Sequence, residues 1–359
     1  MKKLFALLAL SIGCGFTSTS GNQVQTDTKS IPARYGTVIA DGCTLDPWQI
    51  QVLETSSAKL VIHDIVLDCL LPHADGTVTP ADGSAKLQLS DLVAQLHGMG
   101  YGVSLAASFV TDNGYVFDGT QTAKELTDPT WIANVATNMA ANVNDAGADA
   151  VDLDLEMLPA TARPNVTQLV AAVAARVRPA KQLNVFLPPS IATPSDVIGG
   201  DAFDVPSLAI HVDRFRVMTL DYSGNHAGPT IDSGWAVDAY RFAQNQAATS
   251  TFDVSFPLYG NDFTTTGTGG ERLTTYLEAL GLADTFHATA QRGSTQELFL
   301  DYTDDGKNAH EVWYDDAQST LVTLAAWDTK TIPANVGVTF YGFGAEDPAL
   351  WGAIAEATP

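Results

Sequence analysis

Basic residues are scarce in this 359-residue chain: 18 lysines and arginines stand against 41 aspartates and glutamates, a formal net charge of -23. So acidic a surface repels phosphate backbones and anionic lipid headgroups, which excludes nucleic acid and an anionic membrane surface as partners and leaves neutral polymers such as polysaccharides. The seven histidines are scattered, with no His-x-His or His-Glu-x-x-His spacing, so neither a metal site nor a cofactor is expected. No Gly-x-Ser-x-Gly elbow, phosphate loop or dinucleotide glycine pattern occurs, which removes the usual hydrolase-elbow and nucleotide-binding readings. What the chain does have is apolar content, 45% hydrophobic residues, enough to bury one large core or two small ones.

A short apolar run sits at the start, where Met1-Lys-Lys is followed by Leu4 to Leu10. Two lysines before a run too brief to span a bilayer are the layout of a secretory signal. Ser11-Ile-Gly-Cys14 has the form of a bacterial lipoprotein processing box, with Ser11 where a branched aliphatic residue is usual. Residues 1–14 are therefore expected to direct export, Cys14 to carry a lipid, and residues 15–32 to be a polar tether. The alternative is plain secretion. Cysteine is otherwise nearly absent, with only Cys43 and Cys69 remaining; an exported chain allows them a disulfide, while two buried thiols are the alternative.

From residue 35 onward, strand-like runs alternate with helical ones, the pattern of parallel strands with crossover helices. Strands are expected at Gly36 to Ala40, Lys59 to Leu67, Gly102 to Ala107, Asp149 to Glu156, Leu183 to Leu187, Val212 to Asp221, Phe252 to Gly260 and Gly337 to Gly342. Helices are expected to open at Asp46-Pro47, at Ser90 and at Asp128-Pro129. Eight repeats over residues 33–359 fit a (β/α)8 barrel better than an open doubly wound sheet. The surplus between strands seven and eight, Leu298 to Tyr302 and Glu311 to Tyr314 around Thr-Asp-Asp-Gly-Lys-Asn, reads as a hairpin-containing insertion.

The fourth strand carries the chemistry. In Asp149-Ala-Val-Asp152-Leu-Asp154-Leu-Glu156 the period of two puts Asp152, Asp154 and Glu156 on one face and Val151, Leu153 and Leu155 on the other. Carboxylates about 6 to 7 Å apart along a strand cannot all stay ionised cheaply once buried, so at least one holds a proton near neutrality, which is what general-acid chemistry requires. A wet-faced edge strand would show the same alternation, but a barrel has no edge. A calcium loop would need glycine where Met157 stands. Polar groups at the C-terminal ends of barrel strands share one mouth, which brings Glu156, Asp221 and Tyr341 together.

The spacing Asp149-x-x-Asp152-x-Asp154-x-Glu156 on a fourth strand resembles glycoside hydrolase family 18, which includes chitinases, endo-β-N-acetylglucosaminidases and spore-cortex hydrolases. Met218-Thr-Leu-Asp221-Tyr222 and Pro257-Leu-Tyr259-Gly260 are similar to the family's elements on strands six and seven. Val312-Trp313-Tyr314-Asp315-Asp316 and Gly344-Ala-Glu346-Asp347-Pro348 resemble its spore-germination branch. The resemblance implies retaining, substrate-assisted hydrolysis of β-linked N-acetylglucosamine glycans of chitin, peptidoglycan or N-glycan type. Glu156 would be the proton donor, Asp154 the group that steadies the acetamido N–H, and Asp152 the group that tunes Asp154 and shares its proton. Asp221 would bind the acetamido group or Glu156. Tyr222, Tyr259, Tyr341, Trp313 and Asp149 would line the substrate site of a monomeric enzyme.

Three elements depart from the family pattern. Ala106-Ala107 replaces a glycine pair on strand three, Leu220 replaces a tyrosine that donates to the acetamido carbonyl, and Tyr341 replaces a tryptophan. Loss of such a donor costs catalysis about two to three orders of magnitude, and the rival reading is a glycan-binding protein on the same fold.

Overall fold

The computed structural model describes residues 31–81, 86–111, 116–191, 199–224, 226–266, 270–328 and 331–359. The signal segment, Cys14 and nearly all of the tether lie outside them. Ile31 is already buried and donates its N–H to the carbonyl of Ala357 at 3.1 Å, so chain packing begins just before the expected end of the tether at residue 32.

Eight parallel strands close into a barrel: β1 (Gly36–Asp41), β2 (Ile62–Pro72), β3 (Gly102–Ser108), β4 (Ala150–Asp154), β5 (Gln182–Leu187), β6 (Arg214–Val217), β7 (Thr251–Pro257) and β8 (Gly337–Tyr341). Each pairs with its sequence neighbour, and β1 pairs with both β8 and β2, which completes the circle. Alternation sorts the side chains. Val38, Ile65, Leu105, Val151, Leu153, Val185, Phe215, Val254 and Phe340 point outward into the continuous core beneath the helices.

Local signals explain the helices that carry these strands into place. The helix Pro129–Ala146 starts with proline in its first turn and with Asp128 accepting from the N–H of Thr130 at 2.8 Å. It ends on Gly147 in the left-handed region, φ 75°, where glycine lacks the Cβ that would clash. Its buried stripe, Trp131, Val135, Met139 and Val143, follows the four-residue step of a helix packed on a sheet.

Several expected boundaries move. Ser56–Val61 is a helix because Thr55 accepts from the Ala58 N–H at 3.2 Å, so β2 begins at Ile62 rather than Lys59. The helix before β3 spans Lys86–Met99, with Ser90 inside it rather than at its start. β6 is only four residues long and β7 ends at Pro257. Gly260 opens Gly260–Thr264, a strand of the insertion; a Cβ there would stand 2.3 Å from the Trp313 carbonyl oxygen.

The insertion is larger than one hairpin. Strands Glu271–Thr274, Gly260–Thr264, Ala309–Tyr314, Leu298–Thr303 and Gln291–Arg292 form a five-stranded sheet in that order. One face, with Leu300, Tyr302, Val312 and Tyr314, packs against the helix Tyr276–Thr285. The opposite face carries Asn261, Phe263, Phe299 and Trp313, cross-strand neighbours by register.

Candidate active site

Inside the barrel, the inward side chains stack in three levels set by their order along each strand. The lowest is polar: Thr37, Ser104, Asp152, Asn184, Arg216, Asp253 and Thr339 are all buried. Above it lies a small apolar cluster of Ile39, Val66, Ala106, Phe186 and Met218, on which Leu220 and Tyr341 rest. The mouth level, at the C-terminal strand ends, carries Asp41, Asp68, Ser108 and Asp154, and Glu156 follows directly beyond β4.

Arg216 organises the lowest level. Its Nε donates to Asp152 Oδ1 at 2.5 Å, and its Nη1 donates to Asp253 Oδ2 at 2.7 Å and to Thr339 Oγ1 at 3.2 Å. Asp152 Oδ2 accepts from Asn184 Nδ2 at 3.0 Å and from the Ser104 hydroxyl. The guanidinium is 1% exposed and Asp152 fully buried, so this is a desolvated ion pair whose remaining lone pairs are met by neutral donors.

Asp154 is different. Its Oδ2 lies 3.3 Å from Ser108 Oγ, and its Oδ1 is buried with no hydrogen-bond partner among the described residues. Burial, with Glu156 and Asp68 nearby, pushes its carboxyl well above the ordinary range. Glu156 is raised to about 7, first by burial and then by the charges of Asp221 and Asp68. Asp68 is also raised to about 7, by burial and the adjacent Asp41, against the stabilising 2.7 Å hydrogen bond from Ser108 Oγ.

The rim is fixed by two residues with positive φ. Asp221, at φ 55°, turns its carboxyl in to accept from Tyr259 Oη at 2.7 Å and from the Asn261 side chain. Met157, at φ 58°, directs the chain away from Glu156. Its peptide is clamped between Gly119 and Gly199, where an added Cβ would stand 1.8 Å from the Met157 carbonyl oxygen and 2.6 Å from the Leu158 nitrogen, respectively. Tyr341 packs edge-on to Tyr259, ring centroids 6.0 Å apart, and hydrogen-bonds Asp41. Asp41 is the main reason the Tyr341 hydroxyl resists ionisation.

The structure therefore brings Glu156, Asp154, Asp221, Tyr259 and Tyr341 to one mouth. Trp313 lies on the sheet face that adjoins it: its register partner is Asn261, the residue that reaches Asp221. The Trp313 ring stacks on Phe299 at 4.9 Å and donates to Glu311 at 2.6 Å. Tyr222 packs instead on Trp235, at 5.4 Å. Asp149 is a correction. It lies before β4, at the opposite end of the barrel, where its Oδ2 accepts from His97 Nε2 at 2.7 Å and the Val103 N–H at 2.9 Å. It ties strands and is no part of the mouth. Cys43 and Cys69 are bonded as a disulfide, with Cα atoms 4.9 Å apart.

Sequence reasoning missed Arg216, Asp68, Asp41 and Ser108. The last three had a usable signal, a polar residue at or near the C-terminal end of a barrel strand.

A parallel eight-stranded barrel with carboxyls of raised affinity for protons at its C-terminal mouth is the scaffold of a glycoside hydrolase. The chain belongs to glycosyl hydrolases family 18, whose model matches residues 118–340. The Bacillus subtilis (strain 168) cortical fragment-lytic enzyme is 27% identical over 157 residues, 42% of this chain and 36% of that protein, so the chain spans little more than a third of this relative. The Bacillus cereus spore cortex-lytic enzyme SleL superposes with a TM-score of 0.75 at 17% identity, over 92% of this chain and 75% of that one. A chitinase from Chromobacterium violaceum ATCC 12472 gives 0.72 at 19% identity, over 89% of this chain and 98% of that one. These two likenesses establish the fold.

Proposed function

We propose that the protein is a retaining hydrolase of β-linked N-acetylglucosamine-containing glycans, working by substrate-assisted catalysis with Glu156 as the proton donor. The observation that carries this is Glu156 itself: a carboxyl at the mouth, beside Asp154, that burial and Asp221 keep protonated up to about pH 7. A protonated Glu156 delivers its proton to the glycosidic oxygen while the acetamido carbonyl of the sugar attacks the anomeric carbon. Asp154, whose buried Oδ1 has no hydrogen-bond partner among the described residues, turns to accept the acetamido N–H and offsets the positive charge of the cyclic intermediate. Glu156, now ionised, then takes a proton from the water that opens that ring. Asp221, held by Tyr259 and Asn261, stands at the same sugar.

Relatives named for lysis of spore cortex favour a peptidoglycan-type glycan, and the chitinase likeness keeps chitin-type oligomers as test substrates. Trp313 with Phe299, and Tyr341, offer apolar faces for sugar rings. The amino-terminal signal pattern supports an exported, envelope-attached enzyme.

The test is release of a fluorogenic leaving group from N-acetylglucosamine oligomers, with muropeptide-stripped peptidoglycan and N-glycan substrates alongside. Wild-type protein is expected to turn over at least one, and Glu156→Gln to lose about 10²- to 10⁴-fold in kcat/KM. Turnover unaffected by Glu156→Gln would refute the assignment. Binding without hydrolysis by the wild-type protein would point to the glycan-binding alternative.

A further inference from the structure

Burial and the neighbouring carboxylates favour the neutral form of Asp154 in the resting enzyme, while the proposed reading sets an anionic Asp154 beside the cationic intermediate, so its proton must go somewhere. The neighbour two residues back, Asp152, is badly placed to take it. Asp152 Oδ1 is held by the Arg216 guanidinium and Oδ2 by Asn184 and Ser104, all buried. Protonating it would leave a desolvated guanidinium short of one of its two carboxylates.

A different carboxyl faces Asp154 across the mouth. Ser108 Oγ lies 2.7 Å from Asp68 Oδ1 and 3.3 Å from Asp154 Oδ2. A hydroxyl has one proton to donate and lone pairs to accept with. It therefore bridges two carboxyls when one of them is an acid that donates to it and the other a carboxylate that accepts from it. The other carboxyl oxygen, Asp154 Oδ1, is buried and has no hydrogen-bond partner among the described residues.

We propose that Asp68, linked to Asp154 through the Ser108 hydroxyl, receives the Asp154 proton as the intermediate forms and is thus a positioning residue for the reaction; this rests on the substrate-assisted reading above. The step balances within the trio. The Asp154 O–H bond breaks as its proton passes to Ser108 Oγ, while the Ser108 O–H bond breaks as its proton passes to Asp68 Oδ1. Net charge is unchanged, and the negative charge moves from Asp68 to Asp154, next to the developing cation. Collapse of the intermediate reverses the transfer. The other groups facing Asp68 are Asp41 on β1, Asp152 on β4, Glu156 beyond β4 and Tyr341 on β8. Burial and the carboxylates among them raise the affinity of Asp68 for protons, and burial with its own acidic neighbours raises that of Asp154.

The experiment compares kcat and KM of the full chain, as wild type, Asp68→Asn, Ser108→Ala, Ser108→Thr and the Asp68→Asn/Ser108→Ala double variant, on a fluorogenic N-acetylglucosamine disaccharide, with Glu156→Gln as control. Asp68→Asn and Ser108→Ala are each expected to lower kcat about 100-fold with KM within about threefold. The double variant should be no worse than either single one, because the two act as a unit. Ser108→Thr, which restores the hydroxyl, should recover most of the rate. Full kcat in Ser108→Ala, losses that multiply in the double variant, or a Ser108→Thr variant as slow as Ser108→Ala would each overturn the relay. If the Glu156→Gln loss persists in that case, the proposed function stands without it. Absence of hydrolysis by the wild-type protein on every glycan tried would overturn the functional reading, and the relay with it.

Discussion

Replacing Arg216 by methionine removes the cation between two buried carboxylates while keeping much of the side-chain volume. Asp253 keeps a partner, because Arg214 Nη1 also donates to its Oδ1. Asp152 keeps only Asn184 and Ser104. Breaking a buried ion pair from one side costs about 3 to 5 kcal/mol, chiefly because the remaining charge is left desolvated. A transition entropy of about 2.1 cal/mol/K per residue over 359 residues turns about 4 kcal/mol into a Tm lower by about 5 °C. The same argument says the damage is the orphaned charge and not the lost arginine. Adding Asp152→Asn to Arg216→Met should therefore recover at least half of the loss, a coupling of about 2 kcal/mol in a double-mutant cycle. Calorimetry on the four proteins decides it. A Tm change under about 2 °C for Arg216→Met, or a double variant no more stable than the single one, would refute the assignment of this level as a charge-balanced unit.

Other perturbations follow from the same geometry. As a general acid raised to about 7, Glu156 should give a kcat/KM that falls as pH rises through about 7; Asp221→Asn removes a neighbouring negative charge and should move that fall to lower pH. Glu297 accepts from the N–H groups of Thr230 and Ile231 at 2.8 and 2.9 Å, clipping the chain that follows Asp221 to the insertion, so Glu297→Ala should cost about 2 kcal/mol in urea unfolding. Burial raises Glu297 to about 7. The folded state therefore holds its proton more tightly than the unfolded one, and this contribution is full at low pH and lost as pH rises through about 7. Glu297→Gln should flatten that slope. The disulfide closes a separation of 26 residues, and its reduction should cost about 3 kcal/mol, read as a lower denaturation midpoint in dithiothreitol.

The barrel was legible because its strands are buried on both faces and separated by helices with clear starts, such as Asp128-Pro129. Its eight runs stand out even where their ends do not. Ends failed where a local cap outweighed β propensity, as at Thr55, or where a strand passed straight into the insertion, as at Gly260. In the site, alternation named Asp154 and Glu156 correctly as neighbours on one face, but the same motif included Asp149, which lies beyond the other end of the strand. Arg216 was passed over because its meaning depends on Asp152 and Asp253, 64 and 37 residues away in sequence. The period of two from Met218 already placed it inside the barrel, where a lone cation must have a partner. Leu220, read as the loss of an acetamido donor, and Ala106, read as a replaced glycine, both contribute to the apolar middle level.

That middle level shows why three acids at one spacing end up chemically distinct. Each step of two residues along a strand advances about 6.6 Å, so Asp152, Asp154 and Glu156 share a face but not a depth. At the depth of Asp152 the barrel supplies a guanidinium; at that of Asp154 it supplies a hydroxyl shared with a second carboxyl; Glu156, past the strand, meets the charges of Asp221 on the rim and Asp68. Ile39, Val66, Ala106, Phe186 and Met218 form a buried apolar cluster inside the same barrel, where an effective dielectric well below that of water makes each arrangement hold firmly. A polar side chain introduced there, for example Met218→Gln, would offer Asp152 and Asp154 a common partner. On this reasoning it should damage catalysis more than stability, even though Met218 has no place in the proton path.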